Sequence, residues 1–257
     1  MYTKRLFVSR NPDVIGVERI CNENNETWLA RALGELALED VKQWTLVVLV
    51  GGKDQLAFRL RLAQSHFRRD MLPSYWSECL LMETGGDIDQ AKLHHVPLIQ
   101  PRVPYAPCRN GLVETTINTF ASVEDWPNIA LLAYPKPEKK VVESLERLKE
   151  DRDSLDALSH VIRWLSFVWG ANGASNPVHD GLGTPSACMV GSACAAAQID
   201  VTPGMPVSGA CPEVLWSSVN YWHQQVTANG RHEAGAKAVY QIGHCYDIDD
   251  NLAEDKA

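Results

Sequence analysis

The run Trp-Thr-Leu-Val-Val-Leu-Val at residues 44–50, closed by Gly51-Gly52, limits the fold more than any other stretch of the chain. An unbroken apolar segment of this length, bounded by a glycine turn, reads as a buried strand. Its core, Thr-Leu-Val-Val-Leu-Val, is also the longest apolar run, and it is far too short to span a bilayer. A buried strand needs a core around it, and 257 residues of which 45% are hydrophobic can supply one large domain or two small ones.

Other elements follow from periodicity. Residues 26–40 set Trp28, Ala32, Leu33 and Leu36 on one face of an amphipathic helix. Residues 54–69 read as a second helix bearing a basic stripe of Arg59, Arg61, Arg68 and Arg69, with His66 inside it. Short strands are expected at 78–82, 111–115 and 129–134. The stretch from His94 to Gly111 contains four prolines and reads as an extended loop. From Glu138 to Trp169 the apolar spacing is helical but broken near Lys149–Asp153, which implies two consecutive helices or one bent one. A Gly/Asn-rich loop leads into the helix beginning near Thr184, and residues 211–226 form a last helix with Pro212 in its first turn. No internal repeat is present, and the acidic tail 246–257 is expected to fray.

Charge and cysteine usage exclude several function classes. The formal net charge is -8, and the 24 basic residues form no run dense enough to neutralise a phosphate backbone, so nucleic acid is not an expected partner. The N-terminal stretch has no apolar region of the kind a secretory signal carries, so a soluble, cytoplasmic protein is expected. Seven cysteines, an odd number with no C-x-x-C spacing, fit a reducing compartment and give no zinc motif. No metal and no cofactor are expected. His94 and His95 could bind metal, but a vicinal pair is a poor chelate. Eight tryptophans are many for this length, and Tyr75-Trp76, Trp126 and Tyr221-Trp222 fall near the ends of expected elements, where aromatics line grooves as well as fill cores.

The chemistry, if any, centres on Thr-Pro-Ser-Ala-Cys-Met-Val-Gly-Ser-Ala-Cys at residues 184–194. Pro185 suits the first turn of a helix, and the small residues after it let another element pack closely. A nucleophile in that turn would feel the helix dipole and the free N–H groups, which favour a thiolate. Ser186 and Cys188 are the positions that could benefit, while Cys194, nearly two turns in, should be a core residue.

The order of Leu112-Val113-Glu114-Thr115, a long helical segment, a Gly-rich loop, the Ser/Cys helix ending in Ala-Gln-Ile-Asp-Val-Thr-Pro-Gly, and Cys211-Pro212-Glu213-Val214-Leu215 resembles the circularly permuted NlpC/P60 family, the YiiX-like papain-fold thiol hydrolases. The resemblance spans about residues 44–220. It implies an α+β fold with a papain-like core, a small antiparallel sheet packed with helices and an extra N-terminal helix. The corresponding division is a helical extension at 1–43, a permuted domain at 44–245 and the tail at 246–257.

The same resemblance puts the family's cysteine on Ser186 and, through Pro73–Met82, its histidine on Glu78. Glu114 falls where the family places an acidic or polar group, so its carboxylate is expected in one cleft with Glu78, with Arg59 or Arg61 as a cation between them. A glutamate cannot replace imidazole, because a carboxylate disfavours a neighbouring anion and an unshifted one has no proton to give at neutral pH. Two readings therefore compete. In one, the chain is a pseudoenzyme whose former catalytic cleft binds a peptide, lipid or protein ligand. In the other, a rearranged site pairs Cys188 with His179 or His66 and hydrolyses or transfers an acyl group. Whether Ser186 or Cys188 holds the nucleophile position stays open, as does the oligomeric state.

Overall fold

A computed structural model describes residues 14–85, 90–100, 109–150, 156–228 and 235–246. One sheet organises them. It contains β1 (Val14–Gly16), β2 (Thr45–Gly51), β3 (Glu78–Glu83), β4 (Lys92–His95), β5 (Val113–Thr115), β6 (Asn128–Tyr134) and β7 (Lys237–Ile242), in the order β1-β7-β6-β2-β3-β4-β5. Every pairing is antiparallel except that of β1 with β7. The helices are α1 (Asn25–Glu35), α2 (Gln55–Ala63), α3 (Glu138–Glu150), α4 (Ala157–Val168), α5 (Pro185–Ala196) and α6 (Pro212–Ala228). The fold is α+β.

The strand at the centre is the one whose sequence is apolar throughout. Every residue of β2 and of β6 is buried. Leu46, Val48 and Val50 of β2 join Ile129 and Leu131 of β6 under Trp28, Leu29 and Ala32 of α1. On the opposite face Val47 and Leu49 join Ala130 and Leu132 under α3, α4, α5 and α6, through Leu145, Trp164, Val190 and Leu215 among others. A strand sandwiched between two helical layers has no solvent face, so alternation disappears from its sequence.

The N-terminal segment is part of this layer rather than an extension of it. β1 hydrogen-bonds to β7, and α1 supplies most of the cover on its face of the sheet, with the Trp28 indole donating to Val17 O at 2.9 Å. A seven-stranded sheet also exceeds the small one expected. Beyond Tyr246 the tail lies outside the described residues.

Two local readings change. The helix expected over 54–69 stops at Ala63 and gives way to a single 3-10 turn at Ser65–Phe67. The Ala63 carbonyl is taken by the Asn176 amide at 2.8 Å, and the Gln64 amide donates to Leu60 O and Trp76 O, so the helical ladder has no route onward. β4 begins two residues before the expected proline-rich loop and takes in His94 and His95. Its alternation puts Leu93 and His95 on one face and His94 on the other, and pairing with β3 and β5 holds it extended ahead of Pro97.

Candidate functional site

α5 is the buried helix of the fold, resting on β3 and β4 and touching α3 and α4. Residues 185–191 are all buried, as a helix made of small residues permits. Its N-terminus is fixed by backbone contact. Gly183 N donates to Ser208 O at 2.7 Å, Thr184 N donates to Ala210 O at 2.9 Å, and the Trp164 indole donates to Gly183 O at 2.7 Å. A Cβ at position 183 would lie 1.9 Å from Ala210 O, so only glycine allows the two chains to approach this closely.

That anchoring sets Ser186 against the start of β3 and the end of β4. Ser186 Oγ lies 3.0 Å from Glu78 Oε2 and 3.0 Å from Val96 O, and it accepts from Val96 N at 3.3 Å. The expected juxtaposition of Glu78 and Ser186 is therefore present as a direct hydrogen bond. Burial is the main influence on the half-buried Glu78 carboxyl and pushes it up to about 7; the Ser186 contact opposes the rise and the Asp54 carboxylate adds to it. Asp54 is the N-cap of α2 and accepts from Ala57 N at 2.6 Å.

Cys188 is not a partner in this cluster. Its thiol is buried and donates to the carbonyls of Ser208 at 3.3 Å and Ala210 at 3.8 Å. Burial pushes it up to about 12. Cys194, expected in the core, is buried and likewise raised to about 12. The two histidines considered as bases for Cys188 meet each other instead. His66 and His179 are exposed, with ring centroids 5.2 Å apart. The hydrogen-bond partners of Cys188 Sγ among the described residues are backbone carbonyls, so the rearranged Cys/His pair is not assembled.

Glu114 also departs from expectation. It sits on the edge strand β5 opposite His94, and β4 aligns His94 with Leu81, three residues along β3 from Glu78. At strand spacing this is a separation of roughly 10 Å along the strands and two strands across. The Glu114 carboxylate faces Lys149 of α3 at 2.9 Å, with Arg109 at 4.0 Å. The hydrogen bond from Lys149 holds its pKa below the ordinary value. Neither Arg59 nor Arg61 bridges it to Glu78. Arg61 is wholly buried, and its guanidinium donates to Ser74 O, Gly52 O and His244 O at 2.6, 3.0 and 3.1 Å.

The remaining candidates have structural placements. His94 Nε2 is 2.8 Å from Glu83 Oε2, while His95, on the other face, packs edge-on against Phe120 and is pushed down to about 4 by burial and by His94. Vicinal strand residues diverge, so the pair cannot chelate. Among the described residues no group of three or more His, Cys, Asp or Glu side chains is placed to hold a metal ion. Trp76 is fully buried and packs on Trp216, whereas Trp169 at the end of α4 is 67% exposed. No helix among the described residues is long and apolar enough to cross a membrane.

Three participants escaped the sequence. The Val96 backbone was hidden because its segment read as a loop. Asp54 carried a legible signal as a helix N-cap, but nothing tied it to Glu78. The inward direction of Arg61 was available from periodicity, since Ala57, Leu60, Arg61 and Gln64 share one face of α2 and all four are buried. Comparison with protein families, with curated proteins and with solved structures finds no match for this chain.

Proposed function

We propose that this chain is a degenerate member of the circularly permuted NlpC/P60 group, with a papain-like core, that has lost hydrolysis and keeps the former catalytic cleft for binding or scaffolding. The observation that carries this reading is the composition of the pair at the start of α5. A serine and a carboxyl stand 3.0 Å apart where the resemblance calls for a thiol and an imidazole. A thiol hydrolase needs a thiolate and an acid that returns the proton to the leaving group. Ser186 is also 1% exposed and engaged by the Val96 N–H, the Val96 carbonyl and the Glu78 carboxyl, so its hydroxyl is buried in a bonded cluster rather than presented to a substrate. Cys188 offers no substitute, being buried and protonated at neutral pH. The Glu78 carboxyl and the exposed Asp54 carboxylate, close enough to interact, offer oxygen acceptors that suit a donating ligand such as a peptide amide or an amine over an anionic headgroup.

The test is to put the lost pair back. In the double variant Glu78→His/Ser186→Cys the two side chains would meet at hydrogen-bond distance at a helix N-terminus, the arrangement that lowers a thiol pKa. The thiol at position 186, followed by thiolate absorbance in a pH titration of the folded protein, should ionise well below a free model thiol, and Glu78→Ala/Ser186→Cys should not share the shift. If the folded double variant ionises no lower than that control, the cleft is not a former thiol-hydrolase site.

A further inference from the structure

His66 and His179 come from separate segments, the 3-10 turn after α2 and the 3-10 turn Pro177–Asp180, and they meet at the surface. Their ring planes are inclined at 64° with centroids 5.2 Å apart. The His66 ring also packs against Phe67, with 4.1 Å between centroids. The carboxylate next to His179 in the chain, Asp180, is engaged by the Ser175 hydroxyl at 3.2 Å and by Arg163 at 4.0 Å. The two imidazoles thus meet while the neighbouring carboxylate is engaged elsewhere.

We propose that His66 and His179 form a two-imidazole site for a divalent transition metal of the Ni²⁺, Cu²⁺ or Zn²⁺ class, completed by water. The spacing fits. A metal bound about 2.1 Å from each ring nitrogen lies about 3.2 Å from each ring centre, and two centres 5.2 Å apart then subtend about 109° at the metal, the tetrahedral angle. Both side chains are exposed, so each ring can turn its free nitrogen inward without disturbing the core. Imidazole suits these borderline ions, and hard cations such as Mg²⁺ and Ca²⁺, which require oxygen ligands, are excluded.

Ni²⁺ binding to the whole chain at pH 7.5, followed by isothermal titration calorimetry, tests the site with little competition from the exposed Cys21 when that residue is changed to serine. One site is expected, and His66→Ala and His179→Ala should each weaken it at least tenfold, while His160→Ala leaves it unchanged. Because both histidines are exposed, thermal melts of the single variants should match the parent. Affinity that survives either substitution would overturn the chelate.

Discussion

Ser186 Oγ stands 3.0 Å from Glu78 Oε2 and the same distance from Val96 O, so one hydroxyl proton faces two acceptors. It cannot serve both at once. The conflict vanishes when Glu78 carries a proton, because the carboxyl then donates to Ser186 and Ser186 donates to Val96. Burial, which raises the Glu78 pKa to about 7, favours the same state. The pair therefore pins the start of α5 to β3 and β4 while Glu78 is neutral, and ionisation removes one donor and puts a charge beside Asp54.

The linked stability has a definite sign. The folded pKa of Glu78 lies above its unfolded value, so the contribution is complete below the unfolded pKa, near 4.5, and is lost as pH rises through about 7. For a half-buried group the loss amounts to roughly 2 kcal/mol. Denaturant melts of wild type and Glu78→Gln from pH 5 to pH 8 should diverge, with the wild type losing more stability over that interval. Parallel curves would mean that Glu78 is ionised throughout and that Ser186 donates to it.

Glu114 shows what happens to a carboxylate outside the cleft. Its pair with Lys149 spans β5 and α3, but the Glu114 side chain is 33% exposed and Lys149 also serves Glu146 at 2.5 Å. A partly solvated pair that shares its cation contributes little. Glu114→Gln should lower stability by no more than about 0.5 kcal/mol in a urea melt at neutral pH. The pKa of Glu114 is lowered, so this small contribution exists above its unfolded value and disappears as pH falls through the folded one. A loss of several kcal/mol would restore the buried strut that the sequence suggested for this residue.

These two glutamates mark how far the sequence could be read. β2, β6 and α5 were legible because burial on all sides leaves an unbroken apolar or small-residue run, and that signal needs no partner to be recognised. The meeting of Glu78 with Ser186 was reached through the order of elements, since nothing local joins residues 108 positions apart. Glu114 failed by the same route, because the order of strands does not fix how far along a strand a residue lies. β1 and β7 were missed for another reason: β1 has three residues and owes its conformation to pairing with β7 from the far end of the chain. The basic stripe on α2 was read as one surface, although Arg61 shares the inward face with Ala57, Leu60 and Gln64.

Arg61 therefore supplies the sharpest test of the packing. Its guanidinium reaches the loop before β3 through Ser74 O, the end of β2 through Gly52 O, and the segment after β7 through His244 O and Nδ1, and it lies 4.3 Å from the centre of the Tyr246 ring. Burial lowers its pKa to about 10, which leaves it charged at neutral pH, and the planar fork satisfies three carbonyls that point in different directions. Lysine keeps the charge but presents its donors from one point, so Arg61→Lys cannot reproduce the fork that holds the buried Ser74 O and Gly52 O together with His244 O, which Asn128 also holds. Each buried carbonyl left without a partner costs about 1–3 kcal/mol. Arg61→Lys should thus lower unfolding free energy by about 2 kcal/mol or more, and amide exchange should accelerate first around Gly243 and His244. Asn128, whose side chain accepts from Gly243 N and His244 N and donates to His244 O, holds the same segment from β6, so Asn128→Ala should accelerate the same amides. An Arg61→Lys protein that melts within about 0.5 kcal/mol of wild type would show that the charge alone, and not the three-way fork, holds the C-terminal strand in place.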